Sequence, residues 1–292
     1  MENKAKEMLI ELGISNLDSI VPYYPRVRDR EDVSVLQCKK SGVLLLSKTD
    51  HMQLSHYEEK NDFKYWGKMD RKNAIQASIE DTERRCAQFK NIISNKKWID
   101  IGTGAGGILD ALSPYALEVH AVEPQTGARK ELSELGYFMY RTIEEAPCDY
   151  FEVVSLFHVF EHFTDPMNTL LNIKEKMTKE GKIVIEIPHA KDFLISFLNN
   201  EQFKAFTFWS EHIILHTRES MFTILQKAGF KNIIIKGFQR YPLANHLYWL
   251  AKGKPGGHLL WSELRTINLD EEYQKMLTNI DKTDTLIITA KK

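Results

Sequence analysis

Two rhythms of apolar and polar positions divide this chain. Beyond about residue 70, Ile75, Ile79, Cys86, Phe89 and Ile93 recur at helical spacing. Short apolar runs then alternate with amphipathic stretches. The runs predict strands at 97–101, 117–122, 151–157 and 181–187, and the stretches predict helices at 106–112, 125–135, 166–177 and 219–228. Pro166 opens one helix, where a missing N–H would be unbonded anyway, and Gly229 ends another. Late strands are predicted at 232–236 and 285–290, separated by about 45 residues (239–283) that read as an insertion. Strands alternating with helices predict an α/β fold with a doubly wound parallel sheet.

Residues 1–69 lack that alternation and read as an N-terminal extension before a domain spanning 70–292. A short helix is predicted at 3–12, and the Pro- and charge-rich stretch 22–34 reads as loop. The apolar runs 33–38 and 42–47 flank a turn and predict a hairpin. Cys38 opens that turn in the manner of a zinc knuckle, but Ser41 stands where a second thiol would be needed, so a plain turn is expected. His56, Tyr57, Phe63, Tyr65 and Trp66 gather aromatic rings that suit either packing or a lid over a ligand.

Composition narrows the function classes. Of 292 residues, 43% are apolar and 27% charged, which is globular and excludes disorder. A net charge of −1 argues against partners recruited by bulk charge, nucleic acid and anionic membranes included. Three scattered cysteines make no disulfide framework, and no window is apolar enough to span a bilayer, so a cytoplasmic protein is expected.

Glycine changes the picture more. Only 15 occur, yet Gly102, Gly104, Gly106 and Gly107 fall within six residues, between a predicted strand and a predicted helix. At the first turn of an open α/β sheet, such a loop lies where ligands bind. Gly102, Gly104 and Gly107 also satisfy the dinucleotide spacing, which keeps an NAD(P)-dependent oxidoreductase as an alternative. Asp100 opposes it, because a carboxylate there would repel a pyrophosphate. The same carboxylate suits a cofactor carrying a sulfonium and an ammonium. Glu123 closes the next strand, where an acid can accept hydrogen bonds from both ribose hydroxyls of either cofactor.

Five segments in order, WIDIGTGAGG, HAVEP, FEVVSLFHVFEHFTDP, GKIVIEIPH and HTRESMFTILQKAGF, resemble the motifs of class I S-adenosylmethionine-dependent methyltransferases. The likeness spans roughly residues 70–292 and leaves 1–69 unmatched. It implies a Rossmann-like, seven-stranded sheet with a late antiparallel strand pair, the last of these segments leading into an antiparallel sixth strand. It implies S-adenosyl-L-methionine as cofactor, with Asp100, Gly102, Thr103, Gly104 and Gly106 around its methionine part, Glu123 on the ribose and Pro124 beside the adenine. Ile143 and Glu144, after the third strand, would meet the adenine edge, and Phe157 the methyl end.

Methyl transfer needs an aligned nucleophile and, for a hydroxyl, a group that takes its proton. His158, Glu161 and His162, after the fourth strand, are candidates for that work, as is His212 beside Glu211. The set is poor in acids for a metal centre, and none is expected. His189 after the fifth strand, and Arg240, His246 and Lys254 in the insertion, are candidate substrate contacts. The insertion also carries Tyr241, Tyr248, Trp249 and a GKPGGH turn, suited to sugar faces and phosphate. A small phosphorylated or glycosidic acceptor, such as a sugar nucleotide or glycan precursor, is therefore expected. A non-catalytic nucleoside-binding module is the second alternative, and oligomeric state stays open.

Overall fold

The computed structural model describes residues 3–58 and 70–292. Phe63, Tyr65 and Trp66 lie outside the described residues. The N-terminal segment builds helix α1 (Lys4–Glu11) and strands β1 (Ile20–Tyr24), β2 (Val35–Cys38) and β3 (Leu44–Leu46), then the short helix α2 (Leu54–Glu58). Strands β2 and β3 form the expected hairpin. The stretch expected as loop from residue 22 starts as strand instead, with Pro22 opposite Leu36. Strand β1 lies at the sheet edge, where a residue without an N–H is tolerated.

The single stripe expected over 75–93 is two helices, α3 (Arg71–Ala77) and α4 (Ile79–Ile93), broken at Ser78. The Ser78 hydroxyl donates to the Ala74 and Ile75 carbonyls, competing with the helix ladder. The alternation then follows: β4 (Lys97–Ile101), α5 (Gly107–Leu112), β5 (Glu118–Val122), α6 (Thr126–Glu134), β6 (Phe138–Tyr140), β7 (Phe151–Phe157), α7 (Pro166–Lys176) and β8 (Met177–Pro188). After these come α8 (Glu201–Thr207), the two-residue β9 (Ile214–Leu215), α9 (Arg218–Lys227), β10 (Lys231–Phe238), the insertion helices α10 (Leu243–Lys252), α11 (Gly257–Leu260) and α12 (Ile267–Asn279), and β11 (Thr285–Lys291). Among the described residues, no helix is long and apolar enough to cross a membrane.

Seven strands make the main sheet in the order β6-β5-β4-β7-β8-β11-β10. The first five are parallel, and β11 runs antiparallel to both of its neighbours, β8 and β10. So β10, the sixth strand, keeps the sense of β8, and the reversed strand is the last one. Phe238 ends β10 directly opposite Thr285, where β11 begins, so helices α10 to α12 leave and rejoin the sheet at the same end and β11 runs back along β10. Helices cover both faces, so Ile99, Val154, Leu156, Ile183, Ile185 and Ile187 are all fully buried.

The N-terminal segment is not separate from this body. Its sheet has the order β1-β2-β3-β9, and β3 pairs with β9 of the later chain. Leu9, Cys38 and Leu45 share one apolar core with Ile99, Leu156 and Ile214. That docking brings α2 to the carboxyl end of the parallel strands.

Candidate functional site

The glycine loop needs its glycines for two distinct reasons. Gly102, Gly104 and Gly106 all have positive φ, at +71°, +58° and +73°, a region costly to side-chain-bearing residues. Space is the second reason. A Cβ on Gly102 would lie 2.5 Å from Val159 Cγ2, and one on Gly106 would run into Leu132 of α6. The turn that follows β7 is thereby pressed directly onto the loop.

Two buried carboxylates flank the loop. Asp100, 2% exposed, accepts a 2.6 Å hydrogen bond from Ser155 Oγ, which itself accepts one from Trp98 Nε1 at 2.8 Å. Burial pushes the Asp100 carboxyl up to about 7. Glu123 accepts the N–H of Gly104 at 2.7 Å and of Gln125 at 2.9 Å, bracing the loop, and burial raises its pKa as well. Each of its oxygens keeps a lone pair for a diol. A pyrophosphate would meet two carboxylates here, whereas a sulfonium, an ammonium and a ribose diol find complementary partners. The donor set therefore fits S-adenosylmethionine.

The other expected cofactor neighbours are spread around this centre. Thr103 is buried within the loop, and Pro124 is half-buried after β5. Ile143 is buried in a single helical turn. Glu144 is exposed and accepts a hydrogen bond from Asn172 of α7. Phe157 packs on Phe89, with the Arg85 guanidinium 4.8 Å from its ring centre.

After β7 the backbone turns sharply. His158 adopts φ +56°, and Phe160–His162 form one turn of 3-10 helix. That turn drives Phe160 into the core, buries Glu161 completely and brings His162 against the 209–212 segment. His162 Nε2 and His158 Nδ1 lie 3.9 and 3.4 Å from Glu161 Oε1. Burial alone would raise the Glu161 pKa, but the imidazoles of His158, His162 and His212 hold it down to about 2. His212 is pushed down to about 3, by burial first and then by His162, so its imidazole is neutral. On the other side of His162, Nδ1 is 3.3 Å from the Tyr57 hydroxyl and 4.0 Å from Glu211 Oε2. His56 Nε2 donates to Glu211 Oε1 at 2.9 Å. Helix α2 of the N-terminal segment thus completes the cluster.

Beside it lies a buried charge network that the sequence reading missed. Glu186 of β8 is fully buried and accepts hydrogen bonds from Arg84 at 2.9 Å and from Arg85 at 2.6 Å. His158 Nε2 is 3.1 Å from Glu186 Oε1 and 3.1 Å from Arg240 Nη1. Arg240 also donates to Asp81 of α4 through Nε, at 3.2 Å. The only sequence signal was an acid inside the apolar run GKIVIEIP. Arg240 therefore bonds the acid and imidazole side of the site.

The remaining substrate candidates scatter. His189 is 1% exposed, bonded to the Thr283 carbonyl at 3.0 Å, and burial holds its pKa near 4. His246 is buried inside the insertion against Phe193, with the Tyr273 hydroxyl at 2.7 Å. Neither presents itself to a ligand. Lys254 is exposed on the turn after α10.

A parallel sheet with a reversed last strand, a glycine loop between two buried carboxylates and a polar cluster beside it together define the class of S-adenosylmethionine-dependent methyltransferases. A family model described as a methyltransferase domain matches residues 65–234, more than half of the chain, and the chain belongs to that family. Among solved structures, the chain is similar to a SAM-dependent methyltransferase from Archaeoglobus fulgidus. Identity is 20%, over 79% of this chain and 98% of that one, with a TM-score of 0.50. It is also similar to a chain in the complex between the Haloferax volcanii Trm112 methyltransferase activator and a methyltransferase. There identity is 11%, over 75% of this chain and 93% of that one, with a TM-score of 0.51. At such identities these likenesses bear on the fold. No curated protein matches the sequence.

Proposed function

We propose that this methyltransferase acts on a hydroxyl of a small acceptor of the sugar-nucleotide or glycan-precursor type. The observation that carries the reading is the cluster of Glu161, His162 and His212. It combines an ionised, fully buried carboxylate with imidazoles, one turn from the glycine loop. S-adenosylmethionine supplies an electrophilic methyl group on a good leaving group. Asp100 and Glu123 hold the cofactor's cationic and ribose ends. The cluster meets the acceptor oxygen, orients it and draws off its proton, which is the work a weakly acidic hydroxyl requires. Tyr57 and Glu211 keep the His162 ring in place. In the insertion, Tyr241 lies exposed against His258, and Lys254 is exposed on the turn beyond; these suit a glycosidic, phosphorylated acceptor.

The test is transfer of an isotope-labelled methyl group to a panel of nucleotide sugars and glycan precursors. His162→Ala is expected to keep its cofactor affinity within a few-fold and to lose about 10²–10⁴ in turnover. Unchanged turnover would remove His162 and the cluster from the reaction. Labelling of amines alone would overturn the hydroxyl acceptor.

A further inference from the structure

The same cluster has a property that proton transfer does not explain. Glu161 is 0% exposed, and among the described residues neither of its carboxylate oxygens has a well-formed hydrogen bond; only the His158 and His162 imidazoles approach Oε1, at 3.4 and 3.9 Å, and Oε2 is left unmet. His212 Nδ1 is also buried and has no hydrogen-bond partner among the described residues. Leaving a buried carboxylate in that state is costly unless a cation stands close to it. Arg84, Arg85 and Arg240, the nearby guanidinium groups, are bonded to Glu186 and Asp81 instead.

We infer that Glu161, His162 and His212 are the protein ligands of one divalent transition-metal cation, which holds the acceptor oxygen. One ligand atom from each of the three residues lies within 4.8 Å of the others. Ligand atoms around a tetrahedral ion with bonds of about 2.1 Å stand roughly 3.4 Å apart. Small side-chain rotations therefore close the site. Two imidazoles and one carboxylate suit zinc or manganese better than magnesium or calcium, which favour oxygen ligands alone. Three protein ligands also leave a position for a substrate oxygen, as catalytic sites do. His162 is built as a metal-binding histidine would be. Its Nε2 faces Glu161, and its Nδ1 is backed by the Tyr57 hydroxyl and the Glu211 carboxylate. A hydroxyl held on the cation ionises more readily. Its proton passes to the Glu211 carboxylate, which is bonded to the partly exposed His56. The inference rests on the proposed hydroxyl acceptor for its role, but not for the binding itself.

The test uses the full chain stripped of metal with a chelator, then titrated with zinc chloride by calorimetry and with manganese chloride by the loss of the free-ion EPR signal. One site per chain is expected. Glu161→Gln and His212→Ala are expected to weaken binding at least 100-fold, and Glu211→Gln about 10–100-fold. Cofactor affinity, which depends on Asp100 and Glu123 and not on the three proposed ligands, serves as the folding control. If His212→Ala loses it, His212→Gln takes its place. Absence of saturable binding at millimolar metal, or binding that Glu161→Gln leaves intact, overturns the site. Full turnover by the stripped enzyme overturns its role and leaves the hydroxyl reading standing. Metal binding with labelling of amines alone would support the site and overturn the hydroxyl reading.

Discussion

Gly102→Ala is the sharpest test of how the cofactor loop and the acceptor cluster are joined. The new methyl carbon would lie 2.5 Å from Val159 Cγ2 and 3.0 Å from Cγ1, against an ordinary carbon contact of about 3.5–4.0 Å. Overlap of that size in a packed site costs about 1–3 kcal/mol. The backbone angle of +71° adds roughly 1–2 kcal/mol for a residue with a Cβ. The expected total is about 2–5 kcal/mol, measured by urea unfolding. Val159 belongs to the turn that carries Glu161 and His162, so relief of the overlap by moving that turn displaces the cluster. Turnover is then expected to fall further than stability predicts, with cofactor affinity weakened as well. Val159→Ala in the same chain removes both clashing carbons but not the backbone strain. The double variant should therefore recover about 1–3 kcal/mol relative to additivity. Additive behaviour, or a Gly102→Ala chain as stable and active as the parent, would refute this coupling.

Three further outcomes are expected. The Asp100 carboxyl is raised to about 7 in the fold, above an unfolded value of about 3.9, so the native chain holds the proton more tightly. Its contribution to stability is full below about pH 4 and is lost as pH rises toward 7; thermal melts of the apo chain should show this, and Asp100→Asn should abolish that dependence. A cationic cofactor favours the ionised form, so calorimetric affinity for S-adenosylmethionine should rise by up to about tenfold per pH unit between pH 5 and 7, and stay flat in Asp100→Asn. Glu186→Gln should cost up to about 3–5 kcal/mol in unfolding experiments, because it leaves the largely covered Arg84 and Arg85, 16% and 12% exposed, beside a neutral group; a loss under 1 kcal/mol would show that the network is dispensable.

The parallel half of the fold was legible because its strands are buried on both faces and read as apolar runs, KWIDI and FEVVSLF among them. The cofactor loop was legible because positive backbone angles demand glycine and so leave a mark in composition. What could not be read were features fixed by distant partners. Strand β1 exists because β2 pairs with it, although Pro22 reads as loop. The late antiparallel pairing was expected from the family likeness; that β11 and not β10 is the reversed strand is set by where three insertion helices return the chain, which no local pattern encodes.

The acceptor side shows the same division more sharply. The Glu161–His162 pair stood out by its place after a strand. Beyond the neighbouring His158, its companions come from far along the chain: Tyr57 is 105 residues before His162, and Glu211, which also approaches His162, is bonded to His56, 155 residues before it. These contacts exist only because β3 pairs with β9 and so ties the N-terminal segment to the stretch that carries Glu211 and His212. The N-terminal extension is thus part of how the site is assembled. Residues His189 and His246 carry the converse lesson. Each has the chemistry of a ligand contact, but burial and an internal hydrogen bond commit it to the core. Residue type alone nominates a group for chemistry; a buried charge with unmet bonding capacity, as at Glu161, points to a partner still to be bound, whereas the unbonded Nε2 of His189 belongs to a neutral ring and costs far less to bury.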